Sequence, residues 1–64
     1  MFKLNDKVFS MCFGEGVVVM VLEGVEYPIV VHFHENELPI EETFTISGIF
    51  LSPNNDPNMS IKLI

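Results

Sequence analysis

Apolar and polar residues alternate along several short stretches of this chain, with the period of two that a β-strand imposes. In one of these stretches Ile29, Val31 and Phe33 would all face inward. No long segment shows the 3.6-residue periodicity of a helix, so the chain is predicted to be all-β. The pattern predicts strands over residues 7–13, 17–22, 29–34, 43–46 and 49–51, with a last extended stretch over 60–64.

Turn-forming residues separate these stretches. The first predicted strand places Phe9, Met11 and Phe13 on one face, and the next residues, 14–16, contain two glycines that permit positive φ and a tight reversal. A short chain hides its sheet edges best when a strongly bent antiparallel sheet curls upon itself, so residues 1–64 are expected to form a single small barrel of five or six strands. Further turns are indicated at 23–26, 47–48 and 53–58, and a polar loop at 35–41.

The second predicted strand, residues 17–22, is apolar on both faces. So small a core cannot take both rows of side chains, and one row is surplus. The surplus row is that of Val18, Met20 and Leu22 or that of their neighbours Val17, Val19 and Val21. Val18, Met20 and Leu22 are taken as the candidates for an oligomer or other apolar interface, which would allow a homodimer. The alternative is that the C-terminal residues Ile61, Leu63 and Ile64 cover this row.

The charge of the chain is strongly negative. Its 64 residues include nine acidic ones against Lys3, Lys7 and Lys62, for a net charge of −6. This sign opposes direct contact with a nucleic-acid backbone and favours a protein partner with a basic surface. The acidic residues proposed to contact that partner are Glu35, Glu37, Glu41 and Glu42, on a loop between the third and fourth strands, together with Glu23 and Glu26. The alternative is a solvated loop that keeps the protein from aggregating.

Three further residues, Cys12, His32 and His34, are candidates for a nucleophile or for metal ligands. Cys12 is the sole cysteine, which excludes an intramolecular disulfide and suits a reducing compartment. Its apolar surroundings favour a packing role over a nucleophilic one. His32 and His34 would emerge on the same face of one strand, but the sequence supplies no clear third ligand for a metal. We therefore expect neither an enzyme nor a cofactor.

The N-terminal residues lack the apolar stretch of a signal peptide, and the longest apolar run, residues 17–22, is too short to span a bilayer. This composition predicts a cytoplasmic protein with no membrane partner. We expect the chain to be a complete small reading frame.

Two sets of residues resemble known proteins. The order Lys7-Val8-Phe9, then residues 13–18 with their Gly-x-Gly-Val turn, then residues 29–33, resembles SH3-like and Tudor-like barrels. Residues 27–33, followed by Thr43-Phe44-Thr45 and Gly48, are similar to small uncharacterised proteins of bacteria and their phages. The resemblance implies an SH3-like barrel that serves as a protein-interaction module.

These observations lead to one main functional expectation and two alternatives. The main one is a non-enzymatic, phage-encoded inhibitor of a bacterial nucleic-acid-acting defence enzyme, of the anti-CRISPR kind, acting in the host cytoplasm through its acidic surface. The first alternative is an oligomeric sponge that binds a nucleotide signal between subunits. The second is a small metal-binding protein that uses Cys12, His32 and His34.

Overall fold

The computed structural model describes residues 2–34, 39–50 and 59–64. These residues form one antiparallel sheet of five strands in the order β4-β3-β2-β1-β5. The all-β class is confirmed. The outer strands β4 and β5 are not paired with each other in this sheet, so the described strands do not close into a barrel. The strands are β1 Lys7–Ser10, β2 Gly14–Val21, β3 Ile29–Phe33, β4 Ile40–Phe44 and β5 Ile61–Leu63.

The reversal between β1 and β2 lies three residues before its predicted position. β1 ends at Ser10, residues 11–13 form the turn, and Gly14, with φ of 82°, begins β2. The buried Ser10 hydroxyl explains this, because its oxygen accepts hydrogen bonds from the backbone N–H groups of Cys12 (3.2 Å) and Phe13 (3.3 Å). The predicted face of Phe9, Met11 and Phe13 is therefore wrong.

β3 agrees with its predicted pattern. Ile29, Val31 and Phe33 are all buried, while Val30 and His32 between them are only partly covered. This alternation is recoverable from sequence because β3 is paired on both sides, by β2 and by β4, and keeps one face towards the core along its whole length.

The strands that follow β3 lie at other positions than the sequence pattern predicts. β4 covers Ile40–Phe44 and not residues 43–46, and it begins directly after Pro39, a position where the missing N–H of proline is tolerated. Ile49 and Phe50 are not in a strand, and Leu51 lies outside the described residues. The C-terminal strand β5 pairs with β1, with Val8 opposite Leu63, and extends the sheet beyond β1.

The core is built around packed aromatic rings. Phe33 and Phe44 are fully buried, and Phe13 and Phe50 pack against them from the partly exposed side. Neighbouring ring centroids in this group of four lie 5.0 to 6.0 Å apart, a range in which aromatic pairs attract one another. The other members of this core, among the residues that the structure describes, are Val8, Val18, Ile29, Val31 and Ile61.

Two hydrogen bonds hold the start of β5 in place. The Ser10 hydroxyl donates a hydrogen bond of 3.2 Å to the backbone carbonyl of Met59, just before β5. The Ile61 N–H donates one of 2.9 Å to the carbonyl of Gly48, which follows β4. The segment after β4 therefore contacts β5, although the two outer strands do not pair.

Candidate functional site

A β-bulge in β2 determines which of its apolar residues reach the core. Val18 lies opposite Val31 and Met20 lies opposite Val30, so Val19 is an extra residue on the β2 side. An extra residue shifts the inward and outward alternation by one position. As a result Val21, and not Met20, follows Val18 on the core-facing side of the sheet, opposite the buried Ile29.

The neighbouring strand explains why β2 is buried at one end only. β1 pairs with β2 over Gly14 to Val17, and the backbone N–H and C=O of Val18 are bonded to Asp6 and Asn5 at 2.9 and 2.8 Å. Beyond Val18 the described partner of β2 is β3 alone. Val21 and Leu22 are therefore left 44% and 39% exposed, although they belong to the most apolar run of the chain.

These exposed residues form one wall of an open cavity of about 460 Å³. We call it the acid-rimmed groove. A tight β2–β3 connection shapes this wall: the Leu22 N–H donates a 2.8 Å hydrogen bond to the Pro28 carbonyl, and Gly24 adopts a φ of 72° between them. The groove is lined by Val21, Leu22, Glu23, Gly24, Val25, Glu26, Pro28, Thr45 and Ile46.

The opposite wall is the turn that follows β4. The Thr45 N–H donates to the Ile49 carbonyl (2.9 Å), the Gly48 N–H donates to the Thr45 carbonyl (2.8 Å), and the Ile49 N–H donates to Thr45 Oγ1 (3.1 Å). These bonds fix the turn and hold Ile46 at its tip, where it is 60% exposed. The predicted turn at Ser47-Gly48 is confirmed, with Gly48 at a φ of 85°.

The acidic rim comes from the β2–β3 connection. Glu23 and Glu26 are both exposed and both border the groove, on either side of Gly24 and Val25. No lysine or arginine is found among the described lining residues. The charged side chains that line the groove are therefore two carboxylates beside apolar residues, an arrangement that attracts cations with apolar character.

The six glutamates proposed from sequence do not form one surface. Glu23 and Glu26 border the acid-rimmed groove, whereas Glu41 and Glu42 lie within β4, so their predicted loop position is wrong. Glu41 is exposed opposite His32, and the partly buried Glu42 is opposite Val31 on the core-facing side of an outer strand. A charge at that position discourages another strand from pairing there. Glu35 and Glu37 lie outside the described residues.

The three apolar residues proposed as an interface also lie in different surroundings. Val18 is fully buried in the core, Met20 is half exposed and paired with Val30, and Leu22 borders the acid-rimmed groove. The shared face predicted for them is wrong because the bulge at Val19 shifts the alternation between Val18 and Met20. Their role in an interface stays a prediction.

The candidate nucleophile and the candidate metal ligands lie in different parts of the structure. Cys12 is exposed in the turn after β1, so the packing role expected for it is wrong. His32 lies in β3, and His34 is exposed just beyond the end of that strand. Within the described ranges, no group of three or more histidine, cysteine or acidic residues is arranged to hold a metal ion.

Sequence reasoning missed the acid-rimmed groove. Val25 and Ile46 are apolar residues at turn positions, and they come from connections far apart in the chain. An apolar residue inside a turn between polar neighbours, as in Glu23-Gly24-Val25-Glu26, was the available signal. That signal indicates exposure but does not show which residues meet.

Comparisons with protein-family models, with curated proteins and with solved structures find no match to this chain. In the part of the chain that the structure describes, no helix is long and apolar enough to cross a membrane.

Proposed function

We propose that this protein is a non-enzymatic interaction domain that binds another protein through a basic surface of that partner. The observation that carries the proposal is the acid-rimmed groove, in which exposed Val25 and Ile46 face an open cavity beside Glu23 and Glu26. Contiguous exposed apolar surface of this kind is typical of binding sites on small soluble domains.

The two components of the groove have different roles in this proposal. Removal of its apolar surface from water supplies affinity, because the hydrophobic effect scales with the area buried. The negative charge supplies steering and partner choice, since a net charge of −6 attracts basic surfaces and repels acidic ones. The partner is therefore a protein with a positively charged binding face, and the chain makes no direct contact with nucleic acid.

For the architecture, we propose a strongly bent sheet of the SH3-like kind. Support comes from the bulge at Val19, because bulges bend and twist a strand, and from the return of β5 to pair with β1. The hydrogen bond from Ile61 to Gly48 further draws the segment after β4 towards β5. The resemblance of residues 7–9, 13–18 and 29–33 to SH3-like barrels supports the same proposal.

The concrete form of the proposed function is inhibition of a nucleic-acid-acting enzyme in a bacterial cytoplasm, by a protein of phage origin. An acidic domain that occupies a basic nucleic-acid channel competes with the phosphate backbone for the same charges. The net charge of −6 supports this form.

The experiment is capture of binding proteins from bacterial lysate with the tagged domain, read by mass spectrometry. A second bait carries E23Q and E26Q, which remove the two carboxylates of the acid-rimmed groove, and is first shown to be folded by circular dichroism. We expect a protein with a basic surface to be retained by the original domain at about 0.1 M salt and released near 1 M, where charge interactions are screened. The second bait should not retain it. Identical proteins on both baits at both salt concentrations would contradict the proposal.

A further inference from the structure

We infer that the acid-rimmed groove is the docking site for a short segment of a basic partner, in which one or two apolar side chains are flanked by lysine or arginine. This inference rests on the proposed function and specifies the part of the partner that is recognised. It combines the apolar floor formed by Val21, Val25 and Ile46 with the carboxylates of Glu23 and Glu26 at the mouth.

The size of the groove limits the occupant. A volume of about 460 Å³ lies at the lower end of the range for sites that take small ligands, so the groove accommodates a few side chains and not a folded element. Its openness at the surface lets a peptide backbone pass over the mouth while an apolar side chain enters. Its walls are held by the bonds from Leu22 to Pro28 and from Thr45 to Ile49, so little ordering is needed on binding.

The charge of the groove selects among possible apolar occupants. The described lining residues carry two carboxylates and no cation, so an apolar segment flanked by acidic residues would be repelled. A second copy of this chain is a poor occupant, because a protein with a net charge of −6 repels itself and has few lysines to offer. A basic segment of another protein is not repelled by the two carboxylates and supplies the cations that they attract.

The molecule contains an internal comparison site of opposite charge. A smaller cavity of about 220 Å³ lies at the β1–β5 side and is lined by Phe9, Met11, Ser60, Ile61 and Lys62. It is also partly apolar, but the charge on its lining residues is the cation of Lys62. A peptide that bound by apolar contact alone would enter both cavities, whereas a basic apolar peptide should prefer the acid-rimmed groove.

The experiment is a titration of the full chain, labelled with nitrogen-15, with three end-capped pentapeptides. They alternate lysine with leucine, lysine with serine, and glutamate with leucine. We expect the lysine–leucine peptide to shift the amide signals of Val21, Val25 and Ile46 and to leave those of Met11 and Lys62 in place. The other two peptides should bind at least about tenfold more weakly, because each lacks one of the two recognised features.

Two double variants separate the groove from general surface charge. E23Q/E26Q removes the acidic rim, and E15Q/E41Q removes two exposed carboxylates on β2 and β4 that do not border the groove. Both variants change the net charge equally. We expect the first to weaken binding of the lysine–leucine peptide by about three- to tenfold and the second by less than about twofold.

The inference is overturned if the lysine–serine peptide binds as tightly as the lysine–leucine peptide, if the shifts centre on Met11 and Lys62, or if the two double variants weaken binding equally. Its failure is distinguishable from failure of the proposed function. Salt-sensitive capture of a basic protein without peptide binding would leave the interaction function standing and remove the groove as its site. Specific peptide binding without any captured protein would support the groove and count against the proposed partner.

Discussion

β2 has two parts with opposite surroundings, although both contain valines. The first half, residues 14–18, is covered by β1 and β3 and contributes the buried Gly16 and Val18. The second half, residues 19–21, continues into Leu22 beyond the end of β1, and each of these residues is at least 39% exposed. We call them the packed half and the open half.

The difference shows that pairing, and not hydrophobicity, decides which valines of β2 are buried. Each half presents a side chain on the core-facing side, Val18 opposite Val31 and Val21 opposite Ile29, but only Val18 is enclosed. Apolar residues that the fold leaves exposed carry a risk of aggregation, which neighbouring charges reduce. Glu23 and Glu26 lie beside the open half, so its exposure fits a binding surface.

The largest effect is expected from a comparison of two apolar residues, one in the core and one at the acid-rimmed groove. Phe44 is fully buried among the aromatic rings, whereas Ile46, two residues later, is 60% exposed at the groove. Phe44→Ala should cost about 3–5 kcal/mol of unfolding free energy, because it removes a ring and leaves a cavity. Ile46→Ala should cost no more than about 0.5 kcal/mol. Urea denaturation followed by circular dichroism measures both.

Since small domains are stable by only about 5 kcal/mol at the low end, Phe44→Ala is expected to be largely unfolded. Phe44→Leu keeps part of the packing and retains a measurable transition. Equal losses for Phe44→Leu and Ile46→Ala would mean that the Ile46 side chain at the groove is part of the folding core.

The sequence correctly predicted β3 and two of the turns, because each is determined by a local pattern of residues. The alternation of Ile29, Val31 and Phe33 could be recognised because β3 has a partner on both sides along its length. The turns at residues 23–26 and 47–48 could be recognised because glycine permits the positive φ that Gly24 and Gly48 adopt.

The remaining features depend on contacts between distant parts of the chain. Nothing near Ser10 in sequence shows that its hydroxyl also donates a hydrogen bond to the carbonyl of the distant Met59. An unbroken apolar run hides a bulge, so Val19 could not be identified as the extra residue. Glu41 and Glu42 look like loop residues until β3 pairs with them. The acid-rimmed groove forms where the β2–β3 connection and the turn after β4 lie side by side, and no local sequence pattern predicts that contact.

A second test compares Gly16, in the packed half, with Gly24, in the connection that follows the open half. A Cβ atom at Gly16 would lie 2.7 Å from the Phe33 ring, 2.8 Å from a Val31 methyl and 2.9 Å from the His32 carbonyl oxygen. Gly16→Ala should therefore cost about 1–3 kcal/mol by overpacking. At Gly24 a Cβ atom has nothing within 4 Å, and the φ of 72° alone makes Gly24→Ala unfavourable, by about 1–2 kcal/mol.

Asparagine distinguishes the two causes, because it tolerates positive φ but is larger than alanine. Gly24→Asn should recover most of the stability that Gly24→Ala loses, whereas Gly16→Asn should be less stable than Gly16→Ala. Thermal unfolding of the four variants gives the comparison. Recovery by asparagine at both positions would show that Gly16 is constrained by its backbone and that the packed half has room to spare.

The smallest effect is expected from a comparison of two valines, Val18 and Val21, on the core-facing side of the same strand. Val18→Ala removes two methyl groups from a fully buried site, at about 0.8 kcal/mol for each in transfer free energy plus a cavity term, or about 2 kcal/mol in all. Val21, which is 44% exposed, should lose only about half as much. The expected difference of about 1 kcal/mol is measurable from urea midpoints when the slopes of the two transitions agree. A loss at Val21 as large as that at Val18 would mean that the open half is covered when the protein is folded in solution. Its exposed valine would then belong to the folding core, and the acid-rimmed groove would have no free apolar floor on which a partner could dock.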